Sequence, residues 1–144
     1  MNSAFPDVNV WLALTYDGHQ HHNLAMQWLR DTDSDRIVFC RISQIGLLRL
    51  LTTEVVMRDD RMSQVQARAA YDTWHKKDDR IRFVDEPGLI EPVFRDLARS
   101  GKPVTTGDWN EAHLIAFSQV IGAIIVTFDR RLAERAKPGS LLLS

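Results

Sequence analysis

The sequence predicts an α/β fold in which a parallel sheet is covered by helices on both faces. Two observations lead to this fold class: short apolar runs of strand type alternate with amphipathic segments along the whole chain, and they do so without an internal repeat. A chain of 144 residues is long enough to bury the core of one domain. We therefore expect a single domain over residues 1–144, with right-handed crossovers between the strands.

Each element is predicted from its own pattern. Strand candidates are apolar runs bounded by turn residues, and they cover 4–7, 37–40, 81–84, 123–127 and, at an edge, 141–143. Helices are predicted where apolar residues recur every three or four positions, over 11–16, 19–30, 43–53, 63–76, 89–99, 108–120 and 130–136. Ser43 is predicted as the N-cap of the third helix, which is apolar over much of its circumference and is expected to be largely buried. Gly101, Pro103 and Gly107 predict a loop, and Gly122 predicts a helix end.

The composition is that of an ordinary globular protein, 44% hydrophobic and 26% charged. A net charge of −1 provides no global field that would attract nucleic acid, so such contacts need a local patch. The lone Cys40 lies in an apolar run and is expected to be buried and unreactive. The sequence shows no apolar run near 18 residues and no signal-peptide pattern, so we expect a cytoplasmic protein without membrane association.

Two carboxylates follow the first and the most apolar strand candidates. Asp7 ends the run at the N-terminus, and Asp129 follows the run that ends at Thr127. For either acid alone a helix N-cap is the simpler explanation, because Asp is a preferred cap. In a parallel sheet, however, both acids lie at the carboxyl edge, where ligands bind. Asp108 and Glu111 lie in the first turn of a later helix and share one face of it. They either offset the helix dipole or serve as further ligands of the site.

Histidines and glycine motifs carry less information. His19, His21 and His22 lack a further ligand at zinc-site spacing, so we expect solvent-facing imidazoles at a helix start. His113 lies among apolar residues and is expected to contribute to packing. The sequence contains no phosphate-binding glycine loop and no nucleophile elbow, so nucleotide cofactors and acyl-enzyme chemistry lack support.

Five segments together resemble PIN domains, and among them the VapC-type toxins of toxin–antitoxin pairs. No one segment is specific, but their order and spacing are, over about residues 5–132. The segments are Phe5-Pro6-Asp7-Val8-Asn9-Val10-Trp11-Leu12-Ala13-Leu14, His22…Ala25…Trp28-Leu29, Ser43-Gln44…Gly46-Leu47-Leu48-Arg49-Leu50-Leu51-Thr52, Glu111-Ala112-His113-Leu114 and Thr127-Phe128-Asp129-Arg130-Arg131-Leu132.

The resemblance implies an α/β/α sandwich with a four- or five-stranded parallel sheet and a metal-dependent endoribonuclease activity. Family positions that bind Mg²⁺ or Mn²⁺ match Asp7, Glu111 and Asp129, and supporting positions match Asn9 and Thr127. Like charges held close together repel unless a cation joins them, and a bound ion activates water for attack on a phosphodiester.

One position departs from the family pattern. The second acid of the family falls at Gln44, which keeps an oxygen ligand but has no charge, so metal binding should be weaker. Asp108 is the candidate that would compensate. A catalytically weak PIN-fold binding module is therefore the alternative function. A phosphatase that uses Asp7 as nucleophile is disfavoured, because the family pattern of such enzymes places a second Asp where this chain has Asn9.

The resemblance also implies partners. We expect an RNA substrate, a cognate antitoxin and a homodimer, with the antitoxin near the helices over 43–53 and 63–76. Arg41, Arg49, Arg130 and Arg131 are candidates for phosphate contacts, and solvated surface charge explains each of them equally well.

Overall fold

A five-stranded parallel sheet forms the centre of the fold. The structure, a computed structural model, describes residues 2–98 and 108–144. The strands lie in the order β3-β2-β1-β4-β5. Their bounds are β1 Ser3–Pro6, β2 Arg36–Phe39, β3 Ile81–Phe83, β4 Ala123–Thr127 and β5 Ser140–Leu142. All five predicted strands are confirmed, as are the parallel pairing and the edge position of the last strand.

The order of the strands places a topological switch point between β1 and β4. The chain runs outward from β1 through β2 to β3, and then returns to the other side of β1 to form β4 and β5. Residues Ser3 to Pro6 of β1 pair with Ala123 to Val126 of β4 in register. The two strands therefore end side by side. In open α/β sheets this is the crevice in which ligands bind.

Eight α-helices connect the strands within the described residues. They are α1 Val8–Thr15, α2 His22–Asp31, α3 Arg41–Leu51, α4 Glu54–Met57, α5 Gln64–Lys77, α6 Ile90–Leu97, α7 Asp108–Ile121 and α8 Arg130–Ala136, with a 3-10 turn at Arg58–Asp60. The seven predicted helices are confirmed, whereas α4 was not predicted. Gly122 ends α7 with a positive φ of 73°, as predicted. The predicted loop at Gly101, Pro103 and Gly107 lies outside the described residues. None of the helices in the described ranges has the length and apolar character needed to cross a membrane.

Two apolar cores, one on each face of the sheet, confirm the α/β/α sandwich. Alternate strand residues feed opposite cores: Phe39 packs with α1, α2, α3 and α5, and Val38 packs with α6, α7 and α8. The first core is centred on Trp11, which stacks on Phe39 with ring centroids 3.8 Å apart. Both rings are fully buried. This packing fixes α1, the helix that begins directly after Asp7.

Helix α3 differs from the sequence prediction in two ways. It begins at Arg41 with Cys40 as its N-cap, and Ser43, predicted as the cap, lies in the first turn, where its Oγ accepts a hydrogen bond from the Cys40 N–H at 2.9 Å. The helix is also not largely buried, because only one face packs on the core. Leu47 and Leu51 are fully buried, while Ile45 is 48% exposed. Cys40 itself is buried, as predicted.

Candidate active site

Asp7 lies at the end of β1 and begins α1. Its backbone N–H donates to the carbonyl of Val126 on β4 at 3.0 Å, which continues the pairing of the two strands beyond β1. Its carboxylate caps α1 by accepting from the N–H of Val10 at 3.1 Å, and the N–H of Asn9 also donates to it. The side chain is half-buried. The N-cap explanation is therefore correct, and it leaves the second carboxylate oxygen to make a different contact.

That second contact is with Thr127, the last residue of β4. The buried hydroxyl of Thr127 donates to Oδ2 of Asp7 and accepts from the backbone N–H of Asp129 at 2.9 Å. Asp129 is exposed and caps α8, since its Oδ1 accepts from the N–H groups of Arg131 and Leu132 at 2.9 and 3.2 Å. One threonine hydroxyl thus links the two strand-end acids at the switch point.

Burial disfavours the charge on Asp7. Loss of solvation raises the pKa of the Asp7 carboxyl above its ordinary value, and the nearby charge of Asp129 adds to this effect. The hydrogen bonds from Thr127, Val10 and Asn9 act in the opposite direction, because they stabilise the ionised form. The net direction is upward, so the fold holds a carboxylate where ionisation is costly. Such carboxylates are typical of functional sites.

Two further acids lie in the first turn of α7, and both are paired with arginines of α8. Nη2 of Arg131 contacts Oδ1 of the buried Asp108 at 2.5 Å. Nη1 of Arg135 contacts Oε1 of Glu111 at 3.3 Å, and this guanidinium also donates to the carbonyls of Asp108 and Leu97. The pairings differ in exposure: Arg131 is 61% exposed and Arg135 is 24% exposed. Arg135 therefore holds α7 to α8, whereas the pair to Asp108 is open to solvent on one side.

The structure brings some of the predicted acids together and separates others. Asp7 and Asp129 meet around Thr127, and Asp108 joins them indirectly through Arg131, two residues after Asp129. Within residues 2–98 and 108–144, however, no group of three or more His, Cys, Asp or Glu side chains is arranged to hold a metal ion. The carboxylate of Glu111 pairs with Arg135, and no metal-holding group that joins it to Asp7 and Asp129 is found among the described residues.

The donor set at the switch point fits a hard divalent cation. The groups that Asp7, Asp129, Asp108 and Thr127 place there offer oxygen, the ligand that Mg²⁺ and Mn²⁺ prefer. Mg²⁺ commonly keeps several waters and takes only one or two carboxylates from the protein. Two strand-end acids meet this requirement without a complete cage. Asp7 and Asp129 are the acids at this edge that could hold such an ion, and the carboxylate of Asp108 is paired with Arg131.

Asn9 and Gln44, predicted as supporting residues, lie in different surroundings. Asn9 is exposed in the first turn of α1, and its backbone N–H rather than its amide serves Asp7. Gln44 is buried on α3, and its Oε1 accepts from Nη1 of Arg41 at 2.6 Å. A further hydrogen bond joins Gln44 to Tyr71 on α5. The contacts found for Gln44 therefore lead away from Asp7 toward α5.

Three histidines are more buried than the sequence predicted. His22 contacts the carbonyl of Ala13 through Nδ1 at 2.7 Å, and the rings of His19 and His21 lie 6.4 and 4.8 Å from that of Phe128. The helix start is confirmed, since His21 caps α2 and His22 begins it, but the three imidazoles are half-buried rather than solvent-facing, because Phe128 provides an apolar ring for two of them. Burial lowers the pKa of His19, and the neighbouring imidazoles add to this effect. His113 packs edge-on against Phe94, as predicted, and also pairs with Glu86 at 2.7 Å.

Sequence reasoning missed the arginines that neutralise the acids of α7. Arg131 was considered only for phosphate contacts, and Arg135 was not considered. Both lie on one face of α8, because residues four apart on a helix are neighbours. This spacing is visible in the sequence, and Asp108 and Glu111, three residues apart on the opposing helix, likewise share one face. The other proposed phosphate contacts, Arg41, Arg49 and Arg130, are exposed.

Comparison with known proteins agrees with this geometry. A family model described as "PIN domain" matches residues 4–138. The curated "Ribonuclease VapC41" of Mycobacterium tuberculosis is 36% identical over 133 residues, which cover 89% of this chain and 90% of the relative. Two solved structures share the fold. Mycobacterium tuberculosis VapC20, described as a sarcin-ricin loop cleaving toxin, matches with a TM-score of 0.65 and 17% identity, over 91% of this chain and 93% of that one. DNA-bound VapBC from Salmonella typhimurium matches with a TM-score of 0.64 and 16% identity, over 99% of this chain and 97% of that one. With nearly its whole length matched by that family model, the chain is a member of the PIN domain family.

Proposed function

We propose that this protein is a metal-dependent endoribonuclease and the toxin of a toxin–antitoxin pair. The observation that carries the proposal is the pair of strand-end acids, Asp7 and Asp129, held around Thr127 at the switch point of the sheet. The proposal is supported by the curated relative at 36% identity, which is named a ribonuclease. Asp7, Asp129 and Glu111 remain the proposed catalytic acids, with Asp108 as a further metal ligand and Asn9, Gln44 and Thr127 in supporting positions.

The residues have distinct tasks in this proposal. Asp7 is fixed by α1 and by Thr127, so its carboxylate is already oriented before a cation arrives. Asp129 is exposed at the start of α8 and faces arriving substrate. A bound Mg²⁺ or Mn²⁺ would supply an activated water nucleophile and offset charge on the phosphate oxygens. Single-stranded or loop RNA fits best, because its phosphates and unstacked bases reach a small site without opening a duplex.

The direct test is cleavage by the purified chain. Single-stranded RNA should be cut in the presence of Mg²⁺ or Mn²⁺, and EDTA should stop the reaction. Asp7→Asn should abolish cutting while the fold persists, since Asn also caps helices well and has nearly the same volume. Expression without an antitoxin should slow growth, and Asp7→Asn should relieve the effect. If Asp7→Asn cuts RNA as fast as the wild type, the assignment of this site is wrong.

The contribution of the α7 acids is tested separately by metal binding. Removal of the exposed Arg131 as Arg131→Met should tighten Mn²⁺ binding, because a competing cation beside Asp108 is lost. Asp108→Asn and Glu111→Gln then show which acid contributes a ligand, measured by calorimetry. The Arg135 contact predicts the smaller effect for Glu111→Gln unless the ion displaces that guanidinium. Equal Mn²⁺ affinity in both acid variants and the wild type would exclude α7 from the metal site.

A second candidate function is a PIN-fold module that binds RNA or a partner without cutting. The ion pairs on Asp108 and Glu111 favour it, since they leave two strand-end acids at the switch point. Gln44→Glu tests whether the missing charge matters. If Gln44 takes the place of a metal ligand, the added carboxylate should tighten Mn²⁺ binding, whereas its 2.6 Å contact with Arg41 predicts a new ion pair and little change. RNA binding without cleavage under any metal would support the module.

The proposed antitoxin and second protomer need a surface, and α3 and α5 offer one. A groove of about 430 Å³ runs between these helices, with Ile45, Leu48 and Ala67 among its walls. Ile45 is 48% exposed, so an apolar side chain of the groove wall is open to a partner. An amphipathic helix laid in such a groove is a common mode of peptide recognition.

Light scattering tests the dimer, and co-expression tests the antitoxin. Ile45→Asp should weaken whichever partner covers the groove without affecting the core. Glu86→Gln, on the opposite face of the sheet, is the matched surface control. A chain that remains monomeric at high concentration would contradict the homodimer.

A further inference from the structure

A second groove opens at the carboxyl edge of β2 and β3. It has a volume of about 510 Å³, and its walls are the first turn of α3, the C-terminal half of α5 and the end of β3 at Phe83. The strand order places it on the same edge as Asp7 and Asp129, with β2 between. At a strand spacing of about 4.8 Å, β3 is roughly 10 Å from β1. The groove is therefore within reach of a nucleotide that adjoins one bound at the switch point.

The groove is positively charged in a chain that is not. Arg41, Arg68 and Lys76 line it together with a single carboxylate, Asp72, whereas the net charge of the whole chain is −1. Within the described ranges, the one ion pair of the groove joins Arg68 to Asp72 at 3.3 Å. Arg41 instead donates to the neutral amide of Gln44, and its guanidinium lies 4.6 Å from the ring centre of Phe83. Two cations thus remain available to an anionic ligand.

The uncharged lining offers polar and aromatic contacts. The imidazole of His75 lines the groove, and its ring centre lies 4.6 Å from that of the buried Tyr71. The backbone of Ile81 forms a hydrogen bond with this imidazole. The rings of Tyr71 and Phe83 lie beside it in the same lining. A ligand with a flat face would cover the half-buried aromatic side of this lining, at Phe83 and His75.

We propose that this groove is an RNA subsite that holds a nucleotide next to the scissile phosphate. Arg41 and Lys76 contact its phosphate, and Phe83, with the guanidinium over it, and His75 provide the stacking surface. The inference rests on the proposed ribonuclease function, because it assigns part of the same substrate. It also assigns a role to Gln44: through Oε1 this amide fixes the position of Arg41, so Gln44 acts as a positioning residue of the subsite.

Binding of a short fluorescent single-stranded RNA to the full chain in EDTA tests the subsite without cleavage. Arg41→Met and Lys76→Met should each weaken binding about tenfold and lower the salt dependence of log K by about one. Asp72→Asn should tighten binding, an effect that partial unfolding cannot imitate. Arg30→Met is the matched control, since Arg30 is an exposed arginine in the last turn of α2, which leads to the amino end of β2. This variant should bind as the wild type does.

The outcomes separate the subsite from the proposed function. If the chain cuts RNA while Arg41→Met and Lys76→Met keep the wild-type Kd and KM, the subsite is wrong and the function stands. If the two variants lose RNA binding although no RNA is cut with any metal, the function is wrong and the subsite stands. Binding of an acidic peptide that depends on Arg41 and Lys76, with no binding of RNA, would overturn the subsite in favour of a protein partner.

Discussion

Thr127 offers the sharpest test of how the fold supports its strand-end acids. Thr127→Val preserves shape and removes only the hydroxyl, which donates to the Asp7 carboxylate. A hydrogen bond to a charged group contributes about 1.5–3 kcal/mol. The N–H of Asp129 also loses its acceptor, but Asp129 is exposed, so water can replace it. We expect the free energy of unfolding to fall by about 2 kcal/mol, which corresponds to a Tm roughly 8 °C lower for a domain of this size.

Thr127→Ser is the matched control for this prediction. It keeps the hydroxyl and deletes one buried methyl group, which should cost about 1 kcal/mol. Urea unfolding in a chelating buffer, followed by tryptophan fluorescence, measures both variants. In an Asp7→Asn background the effect of Thr127→Val should shrink by about 1 kcal/mol, because the charged partner is gone. If Thr127→Val is as stable as Thr127→Ser, or if the two changes are additive, the hydroxyl does not support the Asp7 carboxylate.

Two further predictions concern the stability of the fold away from the strand-end acids. Leu47→Ala should lower the free energy of unfolding by about 2–5 kcal/mol, because Leu47 is fully buried on α3. Ile45→Ala, on the exposed face of the same helix, should change it by less than about 0.5 kcal/mol in the monomer. Equal losses of stability in urea unfolding would mean that α3 is covered on both faces. Asp78→Asn should cost about 1 kcal/mol at neutral pH, because the 2.8 Å bond from Arg80 lowers the pKa of the Asp78 carboxyl. A carboxyl whose pKa is lower in the folded state stabilises the fold above its ordinary pKa, and this stabilisation is lost as the pH falls through the pKa of the folded state. The difference in free energy of unfolding between Asp78→Asn and the wild type should therefore disappear below pH 3.8. A difference that does not depend on pH would refute the ion pair.

The sequence predicts the frame of this fold because its strands are short apolar runs whose ends are marked by polar residues. β4 was predicted to the residue, and both strand-end acids follow from the same pattern. The local start of α3 was not predictable in this way. Serine is a much commoner cap than cysteine, yet Cys40, the one residue between the end of β2 at Phe39 and the start of α3 at Arg41, takes the cap.

Contacts between helices account for most of what the sequence left open. The pairing of Glu111 with Arg135 depends on how α7 packs against α8. The apolar periodicity of one helix does not identify the helix that lies beside it. The same holds for Gln44, whose contacts with Arg41 and Tyr71 require α5 to lie beside α3. Residue type and spacing identified oxygen donors, but the tertiary packing decides which donors remain available to a cation.

The position of the strand-end site in the sheet determines how costly it is to ionise Asp7. The switch point gathers the ends of β1 and β4, so the Asp7 carboxylate loses water there and lies near the charge of the exposed Asp129. The fold offsets part of this cost with the cap of α1 and the hydroxyl of Thr127, both of which favour the ionised Asp7. A bound cation would favour the ionised form of Asp7, whose pKa is raised mainly by loss of solvation and to a smaller extent by the charge of Asp129. The arrangement is therefore less stable by itself than a neutral one would be, and a fold retains such a cost where the charge has a use beyond stability.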